Sequence, residues 1–402
     1  MFKKLFIAGV FIVMVNALSF AQISEKLSAK VTLAVNTNIE TYFIAEKLAV
    51  EHIGNYVFSY SNIQFTHQPI VYFGLKEFAP WKDKPVILRI AAILKQLRDI
   101  QHDNAQQLEY LLYRNQFPKK GFRWPVPANL AMFNEQLYPG AKVLGIELAD
   151  SLASFYRQAH VDSFLKRNKF FYKGAIAEAR KHINAAAIPY MEKWYGQQFA
   201  GYELYLMPGM PITPGDDNYR AFGPMLISPK GKVSAMVFSS SVQLPLLHSL
   251  KEYKQFGFDN AEVTRFLTVH ELGHSFVNPV VTSLLPELLK DTALFTPTLV
   301  KALEPSYIDR WETCLIEHLV RLGEIRIARS MGDDQEEQRV RKLHVTQFKF
   351  ILLPLLENKI TEYENNRTLY PTFKSFLPEI VNLFHGLKPT DIDRILSENL
   401  VK

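Results

Sequence analysis

Residues 266–279 read FLTVHELGHSFVNP, with histidines at positions 270 and 274 and a glutamate at 271. On a helix, residues four apart project from one face, so His270 and His274 aim both imidazoles at a single point. Val263, Phe266, Leu267, His270 and His274 fall within roughly 100° of one another on a helical wheel. The stretch therefore demands a helix buried along one side, with two histidines set into its apolar stripe. One histidine there is ordinary core filling; two at this spacing form the pattern that chelates a zinc ion. With 11 histidines in 402 residues, chance supplies an H-E-x-x-H in roughly 1–2% of such chains. Coincidence is the poorer account, and one zinc ion is the expected cofactor. Glu271, beside His270, is suited to take a proton from water activated by that ion.

The surroundings of the motif fit a packed helix. Asp259 and Glu262 form a D-x-x-E capping pattern at its start, and Asn278-Pro279 predicts its end. Before it, YELYLMP (202–208), YRAFGPMLIS (219–228) and KVSAMVFSS (232–240) read as strands, the last two joined at Pro229-Lys230-Gly231. A small antiparallel sheet between Tyr202 and Ser240 is expected. Elsewhere VTLAVN (31–36) alternates like a strand. IETYFIAEKLAVEHI (39–53), a long run over 85–114 and aromatic-rich segments over 148–194 carry a helical period. Beyond Ser306 the chain again reads as helical, punctuated by Pro354, Pro371, Pro378 and Pro389. The fold class is α+β and predominantly helical. The expected divisions are a leader over 1–21, a mainly helical region over 22–200, a catalytic core over 201–330 and a helical region over 331–402.

Two histidines leave the third ligand to be found. The metzincin pattern needs a glycine and then a histidine downstream, where this chain has Val277 and Val280, so that subclass is excluded. The gluzincin arrangement takes a glutamate from a later helix and keeps one position open for water. SYIDRWETCLIEHLVRLGEIRIA (306–328) reads as that helix, capped by Ser306 with Asp309 three residues on, and offers Glu312, Glu317 and Glu324. Glu317 stands among Cys314, Leu315, Ile316, Leu319 and Val320, where an unpaired carboxylate is expensive and a metal would satisfy it. Glu317 is favoured, Glu312 is its main rival, and His318 points elsewhere. Set against ligation is a plain i,i+4 ion pair between Glu317 and Arg321.

Composition narrows the setting. MFKKLFIAGVFIVMVNALSFAQ opens with two lysines, an apolar run and a small-x-small site ending at Ala21, the pattern of a cleaved export signal. Export to a bacterial periplasm or exterior is expected, with no stable membrane span after cleavage. Cys314 is the single cysteine, so no intramolecular disulfide forms. The formal charge of +6 is scattered rather than gathered into a basic run, which argues against nucleic acid as a partner.

HELGHSFVNP (270–279), EHLVRLGEIRIA (317–328) and, more loosely, VNTNIETYFIAEKLA (35–49) with the central aromatic helices carry a resemblance. The chain resembles an uncharacterised family of secreted bacterial proteins, a domain of unknown function regarded as gluzincin-type metallopeptidases. The resemblance implies a zincin-like core in which His270, His274 and Glu317 bind zinc and Glu271 is the general base. It also marks a departure: many gluzincins carry an aspartate four residues after the ligand glutamate, to orient a zinc histidine. This chain has Arg321 there, so the outer shell must be built otherwise. The expected activity is hydrolysis of peptide bonds in a peptide or protein substrate. Tyr219, Tyr307 and Arg321 are candidates to steady the oxyanion, and the sheet edge is a candidate to hold an extended peptide. The alternatives are a zincin-like scaffold that binds a periplasmic or surface partner without catalysis, and a zinc hydrolase of non-peptide substrates.

Overall fold

A computed structural model of the protein describes residues 23–54, 63–101, 104–215 and 219–400. The leader and its cleavage site lie outside the described residues. The fold is predominantly helical around one small sheet of six strands: β1 (Ser24–Lys26), β2 (Val31–Ala34), β3 (Gly201–Leu206), β4 (Ala221–Phe222), β5 (Met225–Ser228) and β6 (Gly231–Phe238). The order is β1-β2-β3-β6-β4, with β5 also paired to β6.

The sheet is mixed, which corrects the expected antiparallel one. β2, β3 and β6 run parallel, and only β1, β4 and β5 are antiparallel to their neighbours. The β5–β6 hairpin forms as the Pro229-Lys230-Gly231 signal predicts, pairing Ser228 with Gly231. The predicted strand over 219–228 is broken, however. Gly223-Pro224 splits it into β4 and β5, because proline removes a ladder donor and fixes its backbone. Both pieces fold back on β6, which leaves the other edge of β6 for β3. Parallel strands need long crossovers, and the named elements between β2 and β3 are all helices. The sheet thus draws strands from both sides of residue 200. β3 and β6 are buried on both faces along most of their length, as parallel strands covered by helices are.

The helical readings hold with adjusted ends. Thr37–Ile53 is one helix, and the run over 85–114 is two, Pro85–Ile100 and Ala105–Tyr113. A single hydrophobic core extends from Ile23 to Leu396. No helix among the described residues is long and apolar enough to cross a membrane.

Candidate metal centre

The motif helix spans Ala261–Ser283. Its cap is Asn260, whose side chain accepts from the Val263 amide at 3.1 Å. The expected Asp259 cap is wrong by one residue, because Asp259 is drawn to Lys181 and His182. Nor does Asn278-Pro279 end the helix. Pro279 deletes one backbone bond, but Phe276, Val277, Val280 and Val281 stay buried, and that packing carries the helix another turn. Ser234 on β6 donates to the Ser275 hydroxyl at 2.9 Å, tying the helix to the sheet.

The second helix, Trp311–Ser330, carries Glu317. Its expected Ser306 cap is not formed. Ser306 ends a short 3-10 turn, Tyr307 adopts a left-handed conformation, and the helix begins at Trp311 with no side-chain cap. The two helices pack closely around Tyr195, which stacks on Phe276 at 4.5 Å. Any side chain at Gly323 would collide with the Tyr195 hydroxyl. Glycine at this position therefore lets the helices close.

That packing brings the candidate ligands together. The Nε2 atoms of His270 and His274 are 3.3 Å apart. Glu317 Oε1 lies 3.5 Å from His274 Nε2, and Glu317 Oε2 lies 3.6 Å from His270 Nε2. The three residues form a group able to hold a metal. Tetrahedral zinc with bonds of 2.0–2.1 Å has ligand atoms about 3.3–3.4 Å apart, close to these separations. Glu312, the rival, belongs to no metal-capable group among the described residues. His318 faces another way: its Nδ1 donates to the Cys314 carbonyl at 2.7 Å, and burial lowers its pKa to about 3.

Each histidine is oriented from behind. His270 Nδ1 donates to Glu324 Oε1 at 2.7 Å, and His274 Nδ1 donates to Asn278 Oδ1 at 3.1 Å. With those protons committed, both Nε2 lone pairs face each other, and such an arrangement repels unless positive charge lies between them. The electrostatics agree. Burial and Arg321 depress the His270 pKa, yet Glu324 and Glu317 outweigh them and raise it. Burial pushes Glu317 up, but Arg321, His274 and His270 pull it down to about 2. The shifts place negative charge and raised proton affinity where the three donors meet.

Arg321 forms the i,i+4 ion pair with Glu317 that was set against ligation, and the pair leaves Glu317 beside the histidines. Its guanidinium lies over the Phe350 ring at 3.9 Å, which fixes it in place. The outer shell missing from position 321 is supplied by Glu324, two helical turns after Glu317, and by Asn278, one turn after His274. Sequence reading had offered Glu324 only as a ligand and Asn278 only as a helix end. Their i+7 and i+4 spacings were the available signal.

Glu271 is buried beside the donors, and its pKa is raised, chiefly by burial and against the opposing pull of His274 and His270. It lines a cavity of about 540 Å³ together with His270, Arg321, Tyr219, Tyr307 and Phe222 of β4. All three oxyanion candidates therefore reach the same space; Tyr307 is 94% exposed at its mouth. Gly223, between β4 and β5, is pressed against the backbone of Glu271, where a Cβ would strike the Glu271 carbonyl. The sheet edge and the motif glutamate thus share one wall.

The predominantly helical fold brings two histidines and a glutamate into one group that could hold a metal ion. The chain belongs to the family of the domain of unknown function DUF4932, which it matches over residues 142–383. The match contains both ligand helices and β3 to β6, whereas β1, β2 and Thr37–Ile53 precede it. No curated protein matches the chain. No solved structure matches it either.

Proposed function

We propose that the protein is an exported zinc-dependent metallopeptidase of gluzincin type. His270, His274 and Glu317 would hold the ion, and Glu271 is the general base. The observation that carries this reading is the convergence of two imidazole Nε2 atoms and the Glu317 carboxylate, with the buried Glu271 carboxylate lining the cavity beside them. A purely structural site closes its coordination and has no use for Glu271 in the cavity. When bound, zinc supplies a Lewis acid that polarises a carbonyl and lowers the pKa of water toward neutrality.

The residues around it have distinct tasks. Glu271 has a raised proton affinity, which suits a group that accepts a proton from the attacking water and passes it to the leaving amine. Arg321 holds Glu317 with one nitrogen and lines the cavity, so its positive charge faces the region where an oxyanion develops. β4 is an edge strand on the cavity wall, and its free side suits an extended peptide added in strand register. Export follows from the leader alone.

The test is metal analysis of purified mature protein followed by digestion of a broad peptide library. One equivalent of zinc and cleavage are expected. Glu271→Gln should cut turnover by roughly 10²–10⁴-fold with the zinc retained. A parent protein without metal, or a variant that cleaves normally, overturns the proposal. Bound zinc with no cleavage of any peptide would favour the scaffold reading.

A further inference from the structure

Orienting His270 uses one oxygen of Glu324; the other is also taken. Glu324 Oε2 accepts from His344 Nε2 at 3.0 Å, completing a buried chain of His270, Glu324 and His344. The Glu324 side chain is only 3% exposed and that of His344 is fully buried. A carboxylate at this depth is costly unless both oxygens are bonded. Burial raises the Glu324 pKa, but His344 and His270 outweigh it and hold the group ionised.

The segment that delivers His344 is unfavourable in three respects. Leu343–Gln347 is a π-helical turn, a rare geometry found mostly at functional sites. Lys349, just beyond it, adopts a left-handed φ of 60°, which costs a non-glycine residue. The proton donated to Glu324 leaves His344 Nδ1 a bare acceptor, buried without a partner. Around the ring stand Phe266, Phe348 and Phe350. Phe266 also stacks on His270 at 5.1 Å. Among the described residues, the hydrogen-bond partner of the His344 ring is Glu324. Local strain retained in a core points to a task beyond packing.

We propose that His344 is a positioning residue of the metal centre. By filling the second oxygen of Glu324 it locks that carboxylate against His270 Nδ1. His270 then keeps its Nε2 bare and directed at His274 and Glu317. The inference rests on the metal-site reading above, but its effect on His270 exists without metal. If His344 is only a core histidine, replacing it changes thermal stability and nothing at His270.

The experiment uses the full mature chain and two readouts. Nitrogen-15 NMR of labelled histidines, at a pH high enough to keep His270 neutral, reports its tautomer in metal-free protein, and chelator competition with cobalt absorption spectra reports the loaded site. In His344→Leu the Nδ1–H tautomer of His270 should give way to a mixture. Zinc affinity should fall roughly 10- to 100-fold, with altered cobalt bands. His344→Gln, whose amide nitrogen reaches as far as Nε2, should restore both. Should the leucine variant not fold, His344→Asn, whose amide reaches only as far as Nδ1, should give the same losses. An unchanged tautomer and unchanged affinity in the leucine or asparagine variant overturn the proposal. A parent that takes up no zinc sinks the metallopeptidase reading instead, while the tautomer still decides the role of His344.

Discussion

Asn38 and His270 are both polar helix residues, and both are buried. Asn38 spends every hydrogen-bonding atom on the protein. Its amide donates to the Leu111 and Asn115 carbonyls at 3.2 and 3.1 Å, and its oxygen accepts from the Phe117 amide at 2.8 Å. Glu40, two residues along, accepts from the Gly209 amide and the Tyr172 hydroxyl, one on each oxygen. In the metal centre the pattern is reversed: His270 and His274 each commit one nitrogen and leave the other facing its counterpart. A buried polar residue whose atoms are all satisfied staples the fold. One that is held from behind while its lone pairs converge on its neighbours belongs to a group that could hold a metal ion.

Removing one group on the ligand side is the hardest test of that contrast. Glu317→Ala should weaken zinc binding by more than the ~100-fold that loss of an outer-shell partner costs. Glu312→Ala, on the same helix, should leave affinity nearly unchanged. Chelator competition measures both. Equal losses in the two variants, or none in Glu317→Ala, would place the third ligand elsewhere.

The staple side makes a prediction about pH. Burial raises the Glu40 pKa from 4.5 to about 7, against the pull of its Gly209 and Tyr172 bonds. The folded state therefore holds a proton that the unfolded chain has lost, so this contribution is complete below pH 4.5 and disappears as pH rises through 7. The shift corresponds to something on the order of 3 kcal/mol. Glu40→Gln keeps the acceptor for Gly209 but cannot ionise. Chemical denaturation of metal-free protein should show the variant to be the more stable at pH 8, with the difference vanishing near pH 4. A constant difference across that range would mean that Glu40 is not protonated in the fold.

The comparison also separates what sequence could and could not reveal. His270, Glu271 and His274 lie within five residues on one helix, so local geometry alone groups them. Glu317 was legible because apolar neighbours made a solvated carboxylate implausible. Helix ends were less so: the pull of Lys181 and His182 on Asp259 depends on a helix 77 residues away. The parallel β2–β3–β6 core was hidden for the same reason, since adjacent strand signals suggest hairpins and say nothing of a partner 170 residues earlier. His344 gave no signal at all. It reaches Glu324 only through a π-helical turn, a geometry with no period to detect. Nor could spacing reveal that Asn38 is a staple, because its partners lie more than 70 residues away, in the last turn of the helix Ala105–Tyr113 and the loop after it.

The smallest expected effect compares like with like, since Asn278 is the same residue type as Asn38 in the opposite setting. Asn278 Oδ1 accepts from His274 Nδ1, and its loss frees the imidazole to rotate or change tautomer without opening the core. Asn278→Ala should lower zinc affinity roughly 10-fold, at the weak end for an outer-shell partner. Metal-free stability should shift by less than ~1 kcal/mol, because water can replace a half-exposed acceptor. Asn38→Ala should show the opposite profile. It strands the Phe117 amide, which has Asn38 as its acceptor, at a cost of about 1–3 kcal/mol, while zinc affinity stays put. Denaturation and chelator competition on both variants give four numbers. If Asn278→Ala lost stability and kept its zinc, the distinction between staple and ligand support would fail at the residue where it is most finely drawn.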